Sequence, residues 1–150
     1  VESIESSRLI IKLHPAYKAV FRENDLRQLL PDSNCYEIRN NKLARELSSC
    51  DLLISYSSTA IEEALINKIP VLLYDHFNRY KHLEGIDLNE NKFEPFPVYY
   101  AKGPVALKDG LPVILKQGLG ENIASDDWNR FAFKPEVKKG FYEYLNHCFL

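Results

Sequence analysis

Residues 51–65 read DLLISYSSTAIEEAL, an apolar run that stops at a cluster of hydroxyl side chains and continues as a helical pattern. The run DLLIS (51–55) is nearly all apolar, as expected for a strand buried on both faces of a parallel sheet. A helix is predicted over STAIEEALINK (58–68), and a second apolar strand over IPVLLYD (69–75). A strand, a helix and a strand in this order predict a β-α-β unit whose strands are parallel.

The same alternation precedes the quoted stretch. Strand patterns at 8–13 and 35–39 alternate with helical patterns at 17–30 and 40–50. The first half therefore reads β-α-β-α-β-α-β, which is typical of a parallel sheet with right-handed crossovers. We predict an α/β fold, with a Rossmann-like parallel sheet flanked by helices in three layers, α/β/α.

The second half of the chain is less regular. Its predicted elements are a long loop with one helical turn over 76–94, a strand over 95–102, and helices over 125–133 and 135–149. Residues 105–119 form either a helix interrupted near Gly110–Pro112 or a turn followed by a helix. The aromatic stretch 93–100 could line a groove for an acceptor, but a core strand is favoured because aromatic side chains are mostly buried.

The length and composition of the sequence predict a folded domain of ordinary size. The 150 residues carry a net charge of −2 and are 45% hydrophobic, so one core is expected and a nucleic-acid partner is not. No apolar run reaches the roughly 18 residues of a membrane span, and no signal peptide is recognised at the N-terminus. Cys35, Cys50 and Cys148 are widely spaced, which indicates reduced thiols in a reducing compartment.

The sequence contains no methionine and starts with Val1. We therefore expect residues 1–150 to be a single domain cut from a longer protein. The missing part would then hold half of the active site.

Polar residues follow three of the predicted strands. They are His14–Pro15 after the first strand, Ser55–Thr59 after the third, and Asp75 and His76 with Arg79 and Tyr80 after the fourth. Ligands of open parallel sheets bind beyond the carboxyl ends of the strands. All three groups are therefore expected to line one edge of the sheet.

The hydroxyl cluster stands where a helix is predicted to begin. A helix N-terminus presents unpaired N–H groups and a partial positive charge, which suit an anion. Ser57, Ser58 and Thr59 are small enough to let a phosphate approach and can donate hydrogen bonds to it. Glu62 and Glu63, about one turn further on, are placed to accept hydrogen bonds from ribose hydroxyls. Phosphate and ribose together describe a nucleotide.

Each group also has a plainer interpretation. Ser58 or Thr59 with Glu62 is a capping box, which is the more frequent meaning of such a pattern alone. His14–Pro15 alone is more often a turn that ends a strand. The coincidence of the groups at one predicted edge is what favours a ligand site.

Motifs for metal or nucleophilic catalysis are not recognised. The four histidines, His14, His76, His82 and His147, lack the spacing of a zinc motif. The sequence also has no GxSxG elbow and no P-loop. No metal site is predicted.

The ending L-H-P (13–15), the stretch 51–65 and K-I-P-V-L-L-Y-D (68–75) resemble the C-terminal half of GT-B-fold glycosyltransferases. The likeness is to the bacterial surface-polysaccharide group, which includes capsule and sialic-acid polymerising transferases and teichoic-acid glycerophosphotransferases. UDP-N-acetylglucosamine 2-epimerases share this half and carry S-G-G-x-x-E-E-A, with which SSTAIEEA (57–64) aligns without a gap. Ser58 and Thr59 stand in place of the two glycines, which favours the transferases. The resemblance spans residues 8–80.

This resemblance implies that the chain is one half of a GT-B fold and binds a nucleotide-linked donor. The implied contacts are His14, Ser57, Ser58 and Thr59 for phosphate, Glu63 and less directly Glu62 for ribose, and Asp75, His76, Arg79 and Tyr80 near the sugar or the diphosphate. The general base would come from an N-terminal domain outside this sequence, so no catalytic residue is assigned and the chain alone should bind without turnover.

The resemblance implies a metal-independent transfer that needs no cofactor besides the nucleotide-sugar substrate. Its acceptor would be a glycan or a lipid-linked molecule, and its location the cytoplasm or the inner face of the membrane. Two other interpretations stay open, namely half of a UDP-sugar 2-epimerase and a non-catalytic Rossmann-like binding module.

Overall fold

The computed structural model describes residues 7–17, 22–75, 77, 83–90, 93–116 and 121–131. Its strands are β1 (Leu9–Ile11), β2 (Tyr36–Ile38), β3 (Leu53–Ser55), β4 (Val71–Tyr74), β5 (Ile86–Asp87) and β6 (Val98–Ala101). Its α-helices are α1 (Glu23–Leu29), α2 (Leu43–Leu47), α3 (Ala60–Ile66), α4 (Pro104–Lys116) and α5 (Ser125–Asn129). Short 3-10 helices cover Pro15–Tyr17 and Leu88–Glu90. The predicted helix over 135–149 lies outside the described residues.

The chain divides into two compact units, Val1–Arg45 and Glu46–Leu150, and each is described by itself. In the first unit β1 and β2 pair in parallel, with Leu9 opposite Tyr36. Their side chains are half-buried. The prediction of a single domain over the whole sequence stays a prediction.

The second unit contains a four-stranded sheet in the order β3-β4-β6-β5. Every neighbouring pair is parallel, with Leu53 opposite Val71, Val71 opposite Val98, and Ile86 opposite Tyr99. Helix α3 contacts β3 and β4, and α4 contacts β6. Parallel strands flanked by helices confirm the predicted Rossmann-like α/β class.

The core of the second unit follows from the apolar runs in the sequence. Residues 71–73 of β4 and all of β6 are buried, as expected for interior strands of a covered parallel sheet. Helix α3 buries Ile61, Ala64 and Leu65, which recur at helical spacing, and α4 buries Leu111 and Ile114. The core interpretation of the aromatic stretch is thus confirmed at Tyr99 and Tyr100, which are both buried.

The chain turns from α3 into β4 by a Schellman motif. Lys68 adopts a left-handed φ of 57°, and its N–H donates to Leu65 O at 3.1 Å. The N–H of Ile69 donates to Ala64 O at 2.9 Å, which satisfies a second terminal carbonyl of the helix. The chain therefore continues from this turn directly into β4.

Three sequence predictions need correction. The strands of the first half were expected in one sheet, but hydrogen bonds arrange the described strands as a β1-β2 pair and a separate four-stranded sheet. β3 was expected to be buried on both faces, yet Ile54 is 37% exposed, because β3 lies at an edge of the described sheet. The loop predicted over 76–94 contains the two-residue strand β5, which is too short for an apolar pattern to reveal.

A fourth correction concerns helix α4, which is continuous from Pro104 through Gly110 and Pro112 to Lys116. Both predicted alternatives, a helix interrupted at Gly110–Pro112 and a turn followed by a helix, are therefore wrong. Close packing explains the glycine at position 110, since a Cβ atom there would lie 2.6 Å from Leu88 Cδ1. The glycine therefore lets α4 approach the 3-10 helix at Leu88–Glu90, which it contacts.

Two consecutive tyrosines of β6 anchor the segments on either side of β5. The Tyr99 hydroxyl accepts a hydrogen bond from the N–H of Phe96 at 2.8 Å and donates to Glu94 O at 3.1 Å. The Tyr100 hydroxyl accepts from the N–H of Leu83 at 3.1 Å and donates to Leu83 O at 2.6 Å. Each buried phenol thus satisfies backbone groups that no strand pairs.

Gly85→Ala should lower the free energy of unfolding by about 1–3 kcal/mol, as overpacking does. The added Cβ would lie 2.8 Å from Val98 O and 2.9 Å from Tyr100 Cε2. Gly103→Ala is the matched control, because a Cβ there meets no atom within 4 Å. Urea denaturation of both variants compares them, and equal midpoints would contradict the close approach at Gly85.

Tyr99→Phe should flatten the loss of stability at alkaline pH. Burial raises the pKa of Tyr99 above its ordinary value of 10.0, although the hydrogen bond from Phe96 opposes the shift. The folded-state pKa then exceeds the unfolded one, so the stabilisation is complete below pH 10 and is lost as pH rises through the folded pKa. Unfolding free energies measured from about pH 7 to 11 test this, and parallel curves for the two proteins would exclude it.

Candidate functional site

The four strands of the second unit run in one direction, so their carboxyl ends lie along one edge of the sheet. The residues that directly follow β3, β4, β5 and β6 are Tyr56, Asp75, Leu88 and Lys102. The hydroxyl cluster and Asp75 therefore follow two neighbouring parallel strands at the same edge. This is the edge at which open α/β sheets bind ligands.

Ser57, Ser58 and Thr59 form the turn between β3 and α3. Ser57 and Thr59 are exposed, and Ser58 is half-buried. The Ser58 hydroxyl accepts a hydrogen bond from the N–H of Ala60 at 3.2 Å, and its carbonyl accepts from Ile61 at 3.0 Å. Thr59 is the N-cap residue but makes no side-chain capping bond. The capping interpretation thus holds in part for Ser58, while Thr59 presents its hydroxyl without that constraint.

Glu62 and Glu63 lie in the first turn of α3, and both are exposed. Glu62 lines a cavity of about 200 Å³ together with Leu65, Ile66, Leu83, Arg130 and Phe131. Ligand pockets usually measure 300–1,000 Å³, so this cavity is too small for a whole nucleotide.

Two aromatic rings adjoin this cavity. Phe96 and Phe131 meet edge to face with their centroids 6.0 Å apart, and the Arg130 guanidinium lies 5.8 Å from the Phe96 centroid. Arg130 also pairs with Glu84 at 3.4 Å. These contacts hold Arg130 and Phe131 beside α3.

Asp75 is a buried carboxylate at this edge, with only 4% of its surface exposed. Its N–H donates to Ala101 O at 3.0 Å, so the residue is fixed against the end of β6. Burial raises the pKa of the Tyr100 phenol, and the negative charge of Asp75 adds to that shift.

His14 belongs to the first unit and is exposed. Its Nδ1 accepts a hydrogen bond from the N–H of Ala16 at 3.2 Å, which closes a local turn at Pro15. The structure thus confirms that His14 and Pro15 form a turn after the strand. Contact of His14 with a nucleotide-sugar donor stays a prediction. The remaining predicted contacts, His76, Arg79 and Tyr80, lie outside the described residues.

An ion pair that the sequence analysis missed lies at the same edge. Lys102 Nζ is 2.5 Å from Asp87 Oδ2, and Asn89 donates to Asp87 Oδ1 from its N–H at 3.0 Å and from Nδ2 at 2.7 Å. Burial alone would raise the pKa of Asp87, but the bonds from Lys102 and Asn89 outweigh it and hold that pKa below its ordinary value. No sequence signal joins these residues, because the pairing depends on the unpredicted strand β5.

Metal sites and membrane-spanning helices are both lacking in the part of the chain that the structure describes. The described residues contain no group of three His, Cys, Asp or Glu side chains that could hold a metal ion. None of their helices combines the length and apolar character needed to cross a membrane. Cys35 and Cys50 are free thiols.

Asp87→Asn should lower the free energy of unfolding at neutral pH by about 1.5–3 kcal/mol, the contribution of hydrogen bonds to charged groups. The folded-state pKa of Asp87 lies below the ordinary 3.8, so this stabilisation is complete above that value and is lost as pH falls through the folded pKa. Urea denaturation at about pH 7 and pH 3 should show the difference from wild type shrinking in acid. Asp109→Asn, at an exposed position of α4, is the matched control. A difference that is constant with pH would contradict the charged pair.

No protein-family model, no curated protein and no solved structure matches the chain. The comparisons therefore show no family.

Proposed function

We propose that the chain is the nucleotide-sugar donor-binding domain of a bacterial-type glycosyltransferase involved in surface polysaccharide biosynthesis. One observation carries the proposal. The exposed hydroxyls of Ser57 and Thr59 follow β3, and the buried carboxylate of Asp75 follows the adjacent parallel strand β4. The resemblance of the same stretch to donor-binding halves supports a nucleotide sugar over other anionic ligands.

The turn before α3 supplies hydrogen-bond donors for phosphate oxygens. Thr59 and Ser57 present hydroxyls to solvent, whereas the hydroxyl of Ser58 supports the first turn of the helix. Hydroxyl groups can donate to phosphate without adding bulk or charge. We assign the donor phosphate to Thr59 and Ser57, with Ser58 holding the turn in shape.

Carboxylates near this turn suit the hydroxyl groups of the ligand. Glu62 and Glu63 are exposed in the first turn of α3 and can accept hydrogen bonds from ribose. Asp75 lies beneath the end of the neighbouring strand, where the sugar would be placed. His14, His76, Arg79 and Tyr80 are retained in the proposal as predicted contacts.

Transfer from a nucleotide sugar leaves negative charge on the departing phosphate. Hydrogen-bond donors aimed at that charge before the reaction lower the barrier, because they need not reorganise. In the proposal this chain supplies the donors, and an N-terminal domain of the same protein supplies the general base. The acceptor is a glycan or a lipid-linked molecule, reached in the cytoplasm or at the inner face of the membrane.

A thermal-shift panel with CMP, CDP, UDP, GDP and ADP tests the proposal. A ligand that binds only the folded state at a hundredfold excess over its Kd stabilises that state by about 2.7 kcal/mol. For a protein of 150 residues this raises Tm by about 5–11 °C. We expect such a shift with nucleotides of one base, and a flat panel would overturn the proposal for this chain.

Thr59→Val separates binding from stability. Thr59 makes no side-chain capping bond, so loss of its hydroxyl should change the unliganded stability by no more than about 0.5 kcal/mol. The ligand-induced shift should nevertheless fall. Ser125→Ala, which removes another exposed hydroxyl at the start of α5, should leave the shift intact. Equal ligand shifts in both variants would remove Thr59 from the site.

A further inference from the structure

The cavity beside α3 combines apolar walls with two charged side chains. Its apolar side chains are Leu65, Ile66, Leu83 and Phe131, and its charged side chains are Glu62 and Arg130. Its volume of about 200 Å³ suits one part of a ligand, such as a single ring system, and not a whole nucleotide. The chemistry of these walls therefore indicates which ring system fits.

Arg130 is held in place at the cavity by three contacts. Its Nη1 lies 3.4 Å from Glu84 Oε1, and its Nε lies 3.9 Å from Asp127 Oδ1. Its guanidinium also lies 5.8 Å from the centroid of the Phe96 ring. Because a guanidinium carries five N–H donors, these two ion pairs leave donors for an acceptor atom in the cavity.

Glu62 has no hydrogen bond and no ion pair within the part of the chain that the structure describes. Its carboxylate therefore offers two acceptor oxygens to a ligand. An anion in the cavity would be repelled by this carboxylate, and a cation would be repelled by Arg130. A neutral ligand is favoured, with N–H donors on one edge and acceptors on another.

The ring of Phe131 gives the cavity a flat wall. It meets the Phe96 ring edge to face, with the ring planes at 84° and the centroids 6.0 Å apart. Ile66 is 59% exposed although it lines the cavity, so a ligand there would cover apolar surface. Nucleobases stack on aromatic side chains. A flat aromatic ligand is therefore favoured over an aliphatic one.

We propose, resting on the proposed function, that this cavity binds the base of the nucleotide and that the base is guanine. Guanine carries adjacent N–H donors on N1 and N2, which match the two oxygens of Glu62. Its O6 and N7 are acceptors of the kind to which arginine donates, and so match Arg130. The proposal assigns Glu62 to the base and leaves ribose to Glu63.

The other bases fit a lone carboxylate less well. Cytosine and adenine each present one amino group beside a ring nitrogen that is an acceptor. The N3–H of uracil lies between two carbonyl acceptors. Each of these three bases would therefore set a lone pair against the carboxylate of Glu62, whereas guanine would not.

The test compares GMP with IMP, which lacks only the 2-amino group, by titration calorimetry, with AMP, CMP and UMP as the other ligands. The wild type should bind GMP about tenfold or more tightly than IMP, as expected for one hydrogen bond to a charged group. Glu62→Ala should bring this ratio close to one, because both acceptor oxygens are lost. Glu121→Ala, at an exposed carboxylate that does not line the cavity, is the matched control and should keep the ratio.

The outcomes separate this inference from the function on which it rests. If the wild type binds GMP and IMP equally, or binds another base more tightly than guanine, the base assignment is wrong while nucleotide binding stands. If Glu62→Ala keeps the wild-type ratio, the role of Glu62 is wrong. If the wild type binds none of these nucleotides, the proposed function fails and the inference fails with it.

A second measurement uses the wild-type protein and so does not depend on the folding of a variant. Saturation-transfer NMR with irradiation of the protein methyl groups reports which protons of GMP lie against the apolar walls. The H8 proton of the base should be saturated several-fold more strongly than the H5′ protons of the ribose. Equal or weaker saturation of H8 would overturn the inference.

Discussion

The backbone pairing of β6 with both β4 and β5 is the interaction on which the rest of the second unit depends. All four residues of β6 are buried, so each of their peptide groups must find a hydrogen-bond partner within the protein. β4 pairs with all four residues of β6 and β5 with Tyr99 and Tyr100, and α4 contacts the same strand. The hydroxyls of Tyr99 and Tyr100 form hydrogen bonds with the backbone of residues 94–96 and of Leu83, and so fix these segments against β6.

The elements that sequence analysis predicted correctly are those with long apolar runs. β4, β6 and α3 each carry enough apolar residues for burial and periodicity to reveal them. β5 could not be predicted, because a two-residue strand is defined by its partner β6 and by no pattern of its own. The continuity of α4 was equally hidden, since Gly110 has a packing reason that depends on Leu88.

Some residues of the candidate site could likewise be predicted from the sequence, and others could not. The turn at residues 57–59 and Asp75 could be predicted because they follow apolar strands. The carboxyl ends of parallel strands lie along the same edge of a sheet. The pair between Lys102 and Asp87 was not, because it requires β5 to lie beside β6. The different roles of the hydroxyls in the turn could not be predicted either, because the sequence does not distinguish Ser58 from Thr59. In the structure the Ser58 hydroxyl accepts a hydrogen bond from the N–H of Ala60, whereas Thr59 makes no side-chain capping bond.

The strand order also sets the order in which the sheet can form during synthesis. β5 leaves the ribosome before β6, yet β6 separates it from β4, so β5 has no strand to join until residue 101 has emerged. β4 meanwhile can pair with β3, and its other edge stays open and apolar. A nascent chain halted between β5 and β6 therefore presents an unpaired strand edge of the kind that recruits other chains and chaperones.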